Sequence, residues 1–286
     1  MNTLRTTFMR FPNGATKALT LSYDDGVEQD IKMIEILNKY GVKATFNINS
    51  GCYSKEGKVF QPGTIHRRMT HARALELYKD SGHEVAVHTY SHPWLEQLPP
   101  AMAAQEVIED RINLEADYGK LIRGMAYPYG TLNDTVVEIL KNSGIVYSRT
   151  TVSTGKFDIP TDWLRLPATC HHNAPNLMEL AEKFVNMKVH NHPKLFYLWG
   201  HTYEFEANNN WNVIEEFCEY ISGKEDIWYA TNIDIYDYID AYNRLMWSAD
   251  GSMVYNPTLV TLWFKLSRRG GSSSVIKIEP GETLTL

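Results

Sequence analysis

A chain of 286 residues with a formal charge of −6 and scattered Lys and Arg is long enough for one large α/β domain and offers no basic field for nucleic acid. Its 43 % hydrophobic content is ordinary, and Cys52, Cys170 and Cys218 stand far apart without a CxxC pair, which reads as buried thiols in a reducing compartment. No stretch approaches the ~20 apolar residues of a membrane span and the first residues lack the apolar core of a secretory leader, so a cytoplasmic protein without a membrane partner is expected.

Ala18 to Tyr23 reads as a strand. Apolar positions at helical spacing follow it, Ile31, Ile34 and Leu37 beside Met33, Ile36 and Tyr40, and Gly41 sits where a glycine ends a helix. Val42 to Ile48 resumes as a strand. The same unit recurs as helix 72–80 with strand 84–87, helix 100–118 with strand 122–127, and helix 134–142 with strand 145–150. It continues as helix 176–187 with strand 195–199 and helix 211–221 with strand 227–231. About seven strands alternating with helices predict a parallel sheet built from βα units. After a helical stretch over 233–246, residues 253–266 and 275–286 alternate in the manner of strands around a turn-like Arg-Arg-Gly-Gly-Ser-Ser-Ser at 268–274. The expected organisation is a barrel over 1–246 and a small β-rich extension over 247–286, free to cover a barrel end, touch substrate or join copies into a homo-oligomer.

Polar residues with chemistry gather just past the strands, the edge where barrel enzymes build their sites. Ser22-Tyr23-Asp24-Asp25-Gly26 places two carboxylates there, although Asp-Gly after a strand is often only a turn. His88-Thr89-Tyr90-Ser91-His92 follows another strand; one helical turn over 88–92 would put both imidazoles on one side, able to share an ion. Two histidines and an aspartate leave a coordination position open, as a catalytic zinc site requires, and the same donors suit cobalt or nickel. Ala126-Tyr127-Pro128-Tyr129-Gly130 is a rigid turn whose backbone amide could meet an oxyanion. Asp162-Trp163 and Leu198-Trp199-Gly200-His201 complete the set, each with a bland structural alternative when taken singly.

Taken together and in this order, the five segments resemble the polysaccharide deacetylase family, the NodB-homology fold of carbohydrate esterase family 4, over about residues 18–203. The resemblance implies a deformed (β/α)7 barrel that removes acetyl groups from an N-acetylated carbohydrate. By position it implies Asp24 as general base, Asp25, His88 and His92 as ligands of one divalent ion, and the Pro128-Tyr129 turn as oxyanion donor. It further implies Asp162 as support for the acid-base apparatus and His201 as general acid. Trp94, Trp163, Trp199 and Tyr203 fall within or beside these motifs, where aromatic faces could meet a sugar ring or simply pack. Two departures stand out. The arginine that the family carries two residues before the third motif's proline is Ala126 here, with Arg123 and Arg165 as the nearest substitutes. The Asp-x-x-Asp-Trp pattern is one residue longer, Asp158 to Trp163. The same residues would also serve a small non-sugar amide or an O-acetyl ester, and a non-catalytic carbohydrate-binding scaffold remains a third reading.

Overall fold

The computed structural model describes residues 5–268 and 273–286. In chain order its first half runs β1 (Arg5–Arg10), β2 (Lys17–Asp24), α1 (Asp30–Tyr40), β3 (Ala44–Ile48), α2 (His71–Tyr78), β4 (Glu84–Val87), α3 (Pro100–Tyr118), β5 (Gly124–Ala126) and α4 (Asp134–Asn142). There follow β6 (Tyr147–Ser153), β7 (Leu166–Ala168), β8 (Cys170–His171), α5 (Leu177–Asn186), β9 (Lys194–Gly200), α6 (Tyr203–Ala207), α7 (Asn212–Ile221), β10 (Ile227–Tyr229) and α8 (Asn232–Asn243). The chain ends with β11 (Met246–Trp247), β12 (Met253–Tyr255), β13 (Leu262–Arg268), β14 (Ser273–Ile278) and β15 (Thr283–Thr285).

The main sheet is parallel throughout and runs β7-β6-β5-β4-β3-β2-β9-β8. Its two ends are adjoining parts of one stretch of chain: β7 bonds to β6 and β8 to β9, with Thr169 between them. The path therefore returns on itself, giving the seven-stranded barrel-like sheet expected. The membership differs, however. Residues 166–171, too short and polar to signal a strand, join the ring, whereas β10 pairs only with the first residues of β2.

Residues of each strand divide by parity, as the pleat requires. Leu19, Leu21 and Tyr23 of β2 join Phe46, Val85, Val87, Phe196 and Leu198 in the layer beneath the helices. Thr20, Ser22 and Asp24 face the lumen, bonding to Asn232, Asn47 and Arg149 there. Helices reach that layer through amphipathic faces such as Met33, Ile36 and Leu37 of α1, which ends at Gly41 with φ 67°, the left-handed stop anticipated for it. Helices α3 and α4 fall on the expected bounds.

A second apolar cluster closes the other end. It brings Ala18, Tyr147, Leu166 and Leu195, at the starts of barrel strands, against Ile235, Tyr238 and Ile239 of α8 and Leu262, Phe264 and Leu266 of β13. Strand β1, which the sequence did not signal, pairs with β13 along its whole length, so both ends of the chain build this cover. The turn expected at 268–274 falls largely on residues 269–272, outside those described. Among the described residues no helix is long and apolar enough to cross a membrane.

Candidate active site at the strand ends

β2 delivers Asp24 into the lumen and the chain then turns sharply, with Asp25 at φ 89° and Gly26 at φ 64°. The Asp25 N–H donates to Asn47 O of β3, which fixes the turn. The Asp25 carboxylate lies in a nest of cations and imidazoles. Its Oδ1 accepts from Arg68 at 2.8 Å and stands 3.9 Å from His88 Nε2 and 3.7 Å from His92 Nε2; its Oδ2 is 3.1 Å from His66 Nε2. Burial opposes its ionisation, but His66 and Arg68 outweigh that and hold it well below the usual carboxylate range.

The two histidines do not come together on a helical turn. Thr89 and His92 are both left-handed, at φ 67° and 61°, and fold the segment into a bend that brings the rings to 4.8 Å. Such backbone costs about 1–3 kcal/mol per residue and persists only where surroundings impose it. Here α3 imposes it: Tyr90 N donates to Glu106 O, and the Ser91 N–H and hydroxyl both donate to the Glu106 carboxylate at 2.7 Å. Of the six left-handed non-glycine residues among those described, four, Asp25, Thr89, His92 and Tyr129, belong to the motifs at this edge.

The donor set fits a divalent cation. Asp25, His88 and His92 each offer one ligand atom, all within 4.8 Å of one another. His88 Nδ1 donates to Ala126 O at 2.8 Å, which places the ring's proton away from the cluster and leaves a lone pair on Nε2. Burial pushes the His88 pKa down to about 4, so the ring is neutral at pH 7. That bare lone pair then faces Asp24 Oδ2 at 4.0 Å and Asp25 Oδ1 at 3.9 Å, an arrangement of negative ends that a cation between them resolves.

Beside the triad, Asp24 accepts from Asn47 Nδ2 at 2.8 Å and is ion-paired to Arg149, a side chain almost wholly buried. Arg149 answers the question posed by Ala126: it is the register partner of that residue on the next strand, so its guanidinium comes from one strand over at the same height. The nearer substitutes are excluded by their partners, because Arg123 pairs with Asp237 and Arg165 with Asp134 and Asp162. Burial again opposes ionisation of Asp24, yet Arg149, His88 and His201 together hold its pKa below the usual value.

His201, just past β9, sets Nε2 3.8 Å from Asp24 Oδ2 and donates from Nδ1 towards Glu204 Oε1 at 3.0 Å. Asp162 is not its support. It is half-exposed, caps the turn that begins at Trp163 and pairs with Arg165. The lengthened segment leaves it on the surface, where Asp158 bonds Lys194. Trp163 is likewise outside the cluster and packs edge-on against Tyr236 of α8. Trp199 belongs to the cluster but lies beneath it, buried, with the Arg149 guanidinium 4.4 Å above its ring. Tyr203 lines the site between His66 and His201.

The Pro128-Tyr129 turn comes beside His92, whose ring is 4.7 Å from that of Tyr129. Tyr129 has φ 60°, and the turn's bonds run from Gly130 N to Tyr127 O and from Thr131 N to Pro128 O, which leaves the Tyr129 N–H outside them. Its ring stacks on Trp94 at 3.9 Å and 10°, and both rings stay open to solvent. On the other side a cleft of about 560 Å³, lined by Tyr53, Phe60, His66 and Arg68 among others, adjoins Asp25. Arg149, Glu204, His66 and Arg68 are the site residues that motif reading did not reach.

Fold and site together define a carboxylate-histidine centre at the strand ends of a (β/α)7 barrel. The chain belongs to the polysaccharide deacetylase family, whose profile matches residues 5–148. It is 29 % identical over 153 residues to a chitooligosaccharide deacetylase of Bradyrhizobium, covering 52 % of this chain and 60 % of that one. It is 23 % identical over 124 residues to a peptidoglycan-N-acetylglucosamine deacetylase of Listeria monocytogenes, covering 43 % of this chain and 23 % of that one. The matches thus span less than two thirds of these relatives. Among solved structures, a protein of Mycobacterium smegmatis assigned to the polysaccharide deacetylases aligns with TM-score 0.58 at 15 % identity over 84 % of this chain and 96 % of its own. A family 4 carbohydrate esterase of Streptomyces lividans aligns with TM-score 0.50 at 16 % identity over 75 % and 92 %. At these identities the structures share the fold.

Proposed function

We propose that the protein is a metal-dependent hydrolase that removes acetyl groups from an N-acetylated amino sugar. The observation that carries this reading is the convergence of Asp25, His88 and His92, with the His88 Nε2 lone pair directed at two carboxylates. Zinc is the ion proposed, with cobalt or nickel acceptable to the same donors. Held by these three side chains, a divalent cation would lower the pKa of a water towards ~7 and draw charge from the acetyl carbonyl.

The chain's own residues supply the proton traffic. Asp24, kept ionised by Arg149 against its burial, takes the proton of the attacking water. The Tyr129 N–H faces the charge that develops on the acetyl oxygen. Burial opposes protonation of His201, but Glu204 and Asp24 outweigh it and raise its pKa above the ordinary histidine value, which favours the protonated ring an acid needs. It delivers that proton from Nε2 to the departing nitrogen, which an amide needs because an unprotonated amine leaves poorly. The exposed Trp94-Tyr129 stack offers an apolar face to a pyranose ring, and the cleft beside His66 offers room for the next sugar. Chitooligosaccharide deacetylase relatives support N-acetylglucosamine oligomers as the first substrates to try.

The test is acetate release from such oligomers, from acetylated xylan and from simple amides, with metal content measured before and after chelation. Release from the oligomers should vanish on chelation and return with zinc. Full activity in metal-free protein would end this reading.

A further inference from the structure

Glu204 stands one helical step past His201 and gathers three histidines around one carboxylate. Its Oε1 lies 3.0 Å from His201 Nδ1. Its Oε2 accepts from Asn173 Nδ2 at 3.0 Å and lies 3.2 Å from His171 Nε2 and 2.9 Å from His172 Nε2. Neither imidazole contact with Oε2 is a directed hydrogen bond; both brace the carboxylate by close approach. We propose that Glu204, braced by His171 and His172, is the positioning residue that fixes the ring of His201 and keeps its proton on Nδ1 facing the carboxylate and its other nitrogen facing Asp24. This rests on the deacetylase reading, in which His201 is the acid, and assigns its support to a residue outside the Asp162 segment.

Three features carry it. First, the His171 tautomer is set: Asn173 N donates to Nδ1 at 3.1 Å, so the neutral ring carries its proton on Nε2, towards Glu204. Second, His172 cannot retreat. It is wholly buried between Phe205, stacked at 4.0 Å, and Tyr23, stacked at 5.8 Å, and a Cβ on Gly200 would come within 2.1 Å of its Nδ1. Burial pushes its pKa down to about 4, so it meets Glu204 as a neutral ring. Third, burial opposes ionisation of Glu204, but the three histidines hold it well below the usual carboxylate range, so a negative charge faces His201 throughout the working pH. The other groups facing His201 are Asp24 of β2, by its charge the adjoining Asp25, the His171 ring of β8 at 6.5 Å and the Tyr203 ring of α6.

His171, His201 and Glu204 also lie close enough together to be grouped as a second cation site. The hydrogen bonding opposes that use, because His171 Nε2 carries the proton and has no lone pair to give while Nδ1 accepts from an amide.

The test follows His201 by NMR titration in the metal-free protein and the pH profile of kcat in the zinc-loaded one, for Glu204→Gln, Glu204→Asp and His171→Gln. Glu204→Gln should lower the His201 pKa by about one unit and kcat by ~10²-fold with little change in KM. Glu204→Asp should restore part of both, and Asp162→Asn should leave the titration in place. An unmoved His201 titration in Glu204→Gln, or one that moves in Asp162→Asn instead, overturns the proposal, as does a second bound zinc that His171→Gln abolishes. If Glu204→Gln does not fold, Glu204→Asp and His171→Gln, at a partly buried position, decide by the same titration. Should the native protein release no acetate from any substrate, the deacetylase reading fails, while the His201 titration still decides the role of Glu204.

Discussion

Arg149 decides whether Asp24 can act as a base. Burial opposes ionisation of Asp24, and the guanidinium held over the Trp199 ring is the largest of the groups that offset it. In Arg149→Met the carboxylate loses its partner while staying buried, which should cost roughly 3–5 kcal/mol of stability at pH 7 and lower kcat/KM by ~10²-fold. In the native protein the depressed pKa of Asp24 contributes stability that is present above the unfolded value near ~4 and lost as pH falls through the folded one. In the variant its pKa rises, so the added instability should be larger at pH 7.5 than at pH 5. Urea denaturation at both pH values, with acetate release, checks this; a variant as stable and active as the native chain would refute it. Because Ala126 and Arg149 are register partners, Ala126→Arg in an Arg149→Ala background should regain part of the lost rate. The first-motif aspartates and the HTYSH histidines were readable because their spacing along the chain carries the chemistry. Arg149 was not, since one charged residue in an otherwise strand-like stretch looks like any exposed edge until the neighbouring strand is known. Glu204 was hidden similarly, three residues past a histidine whose partner was sought some forty residues earlier.

At the scale of elements, long amphipathic helices and fully buried strands declared themselves through periodicity, whereas pieces defined only by their neighbours did not. β7 and β8 are three and two residues long and exist as strands because β6 and β9 present unpaired edges on either side. β1 exists because β13 pairs with it from the far end of the chain. The bend over 88–92 belongs to the same class: its histidines were placed by motif, but its shape comes from α3. That helix turns Asp110 inward to accept from the N–H groups of Ser50 and His88, and holds the rim of the bend through Glu106. Glu106→Ala should therefore leave the helix and the overall stability nearly unchanged, within about 1 kcal/mol, because these bonds lie at the surface. It should weaken zinc binding by about 10-fold through a loosened His92. Chelator competition measures the affinity and thermal melting the stability; unchanged affinity would show that the bend does not need the Glu106 carboxylate.

For the molecule as a whole, buried acids fall into two groups according to whether cations and imidazoles or only neutral donors face them. Asp24, Asp25 and Glu204 at the site are held ionised by cations and histidines. Burial raises three others that only neutral donors face: Asp30 at the start of α1, Asp110 on α3 and Glu84 in the lumen are each pushed up to about 7 despite the hydrogen bonds they accept. Glu84 accepts from Tyr147, Thr45 and the first turn of α8, so the floor of the barrel closes over a group that burial keeps protonated below neutrality. The signs then follow. Acids whose pKa is raised on folding contribute stability fully below their unfolded values near ~4 and lose it as pH rises through 7; the depressed acids contribute only above ~4. Three buried histidines work against the raised acids: His83, His88 and His172, their pKa values pushed down to about 4 by burial, add stability as pH rises from ~4 to ~6.5. The loss from the acids therefore shows mainly above that window, and metal-free protein should melt lower at pH 8 than at pH 6.5, by about 1 kcal/mol or a few degrees in Tm. Keeping a chelator present matters, because metal binding strengthens as its ligands lose protons and would oppose the trend. Glu84→Gln, which keeps the shape without the titration, should remove the Glu84 share and make the fall in Tm between pH 6.5 and 8 shallower than in the native chain. A Glu84→Gln variant whose Tm falls as steeply between pH 6.5 and 8 as that of the chelated native protein would mean that the Glu84 carboxyl ionises freely inside the fold.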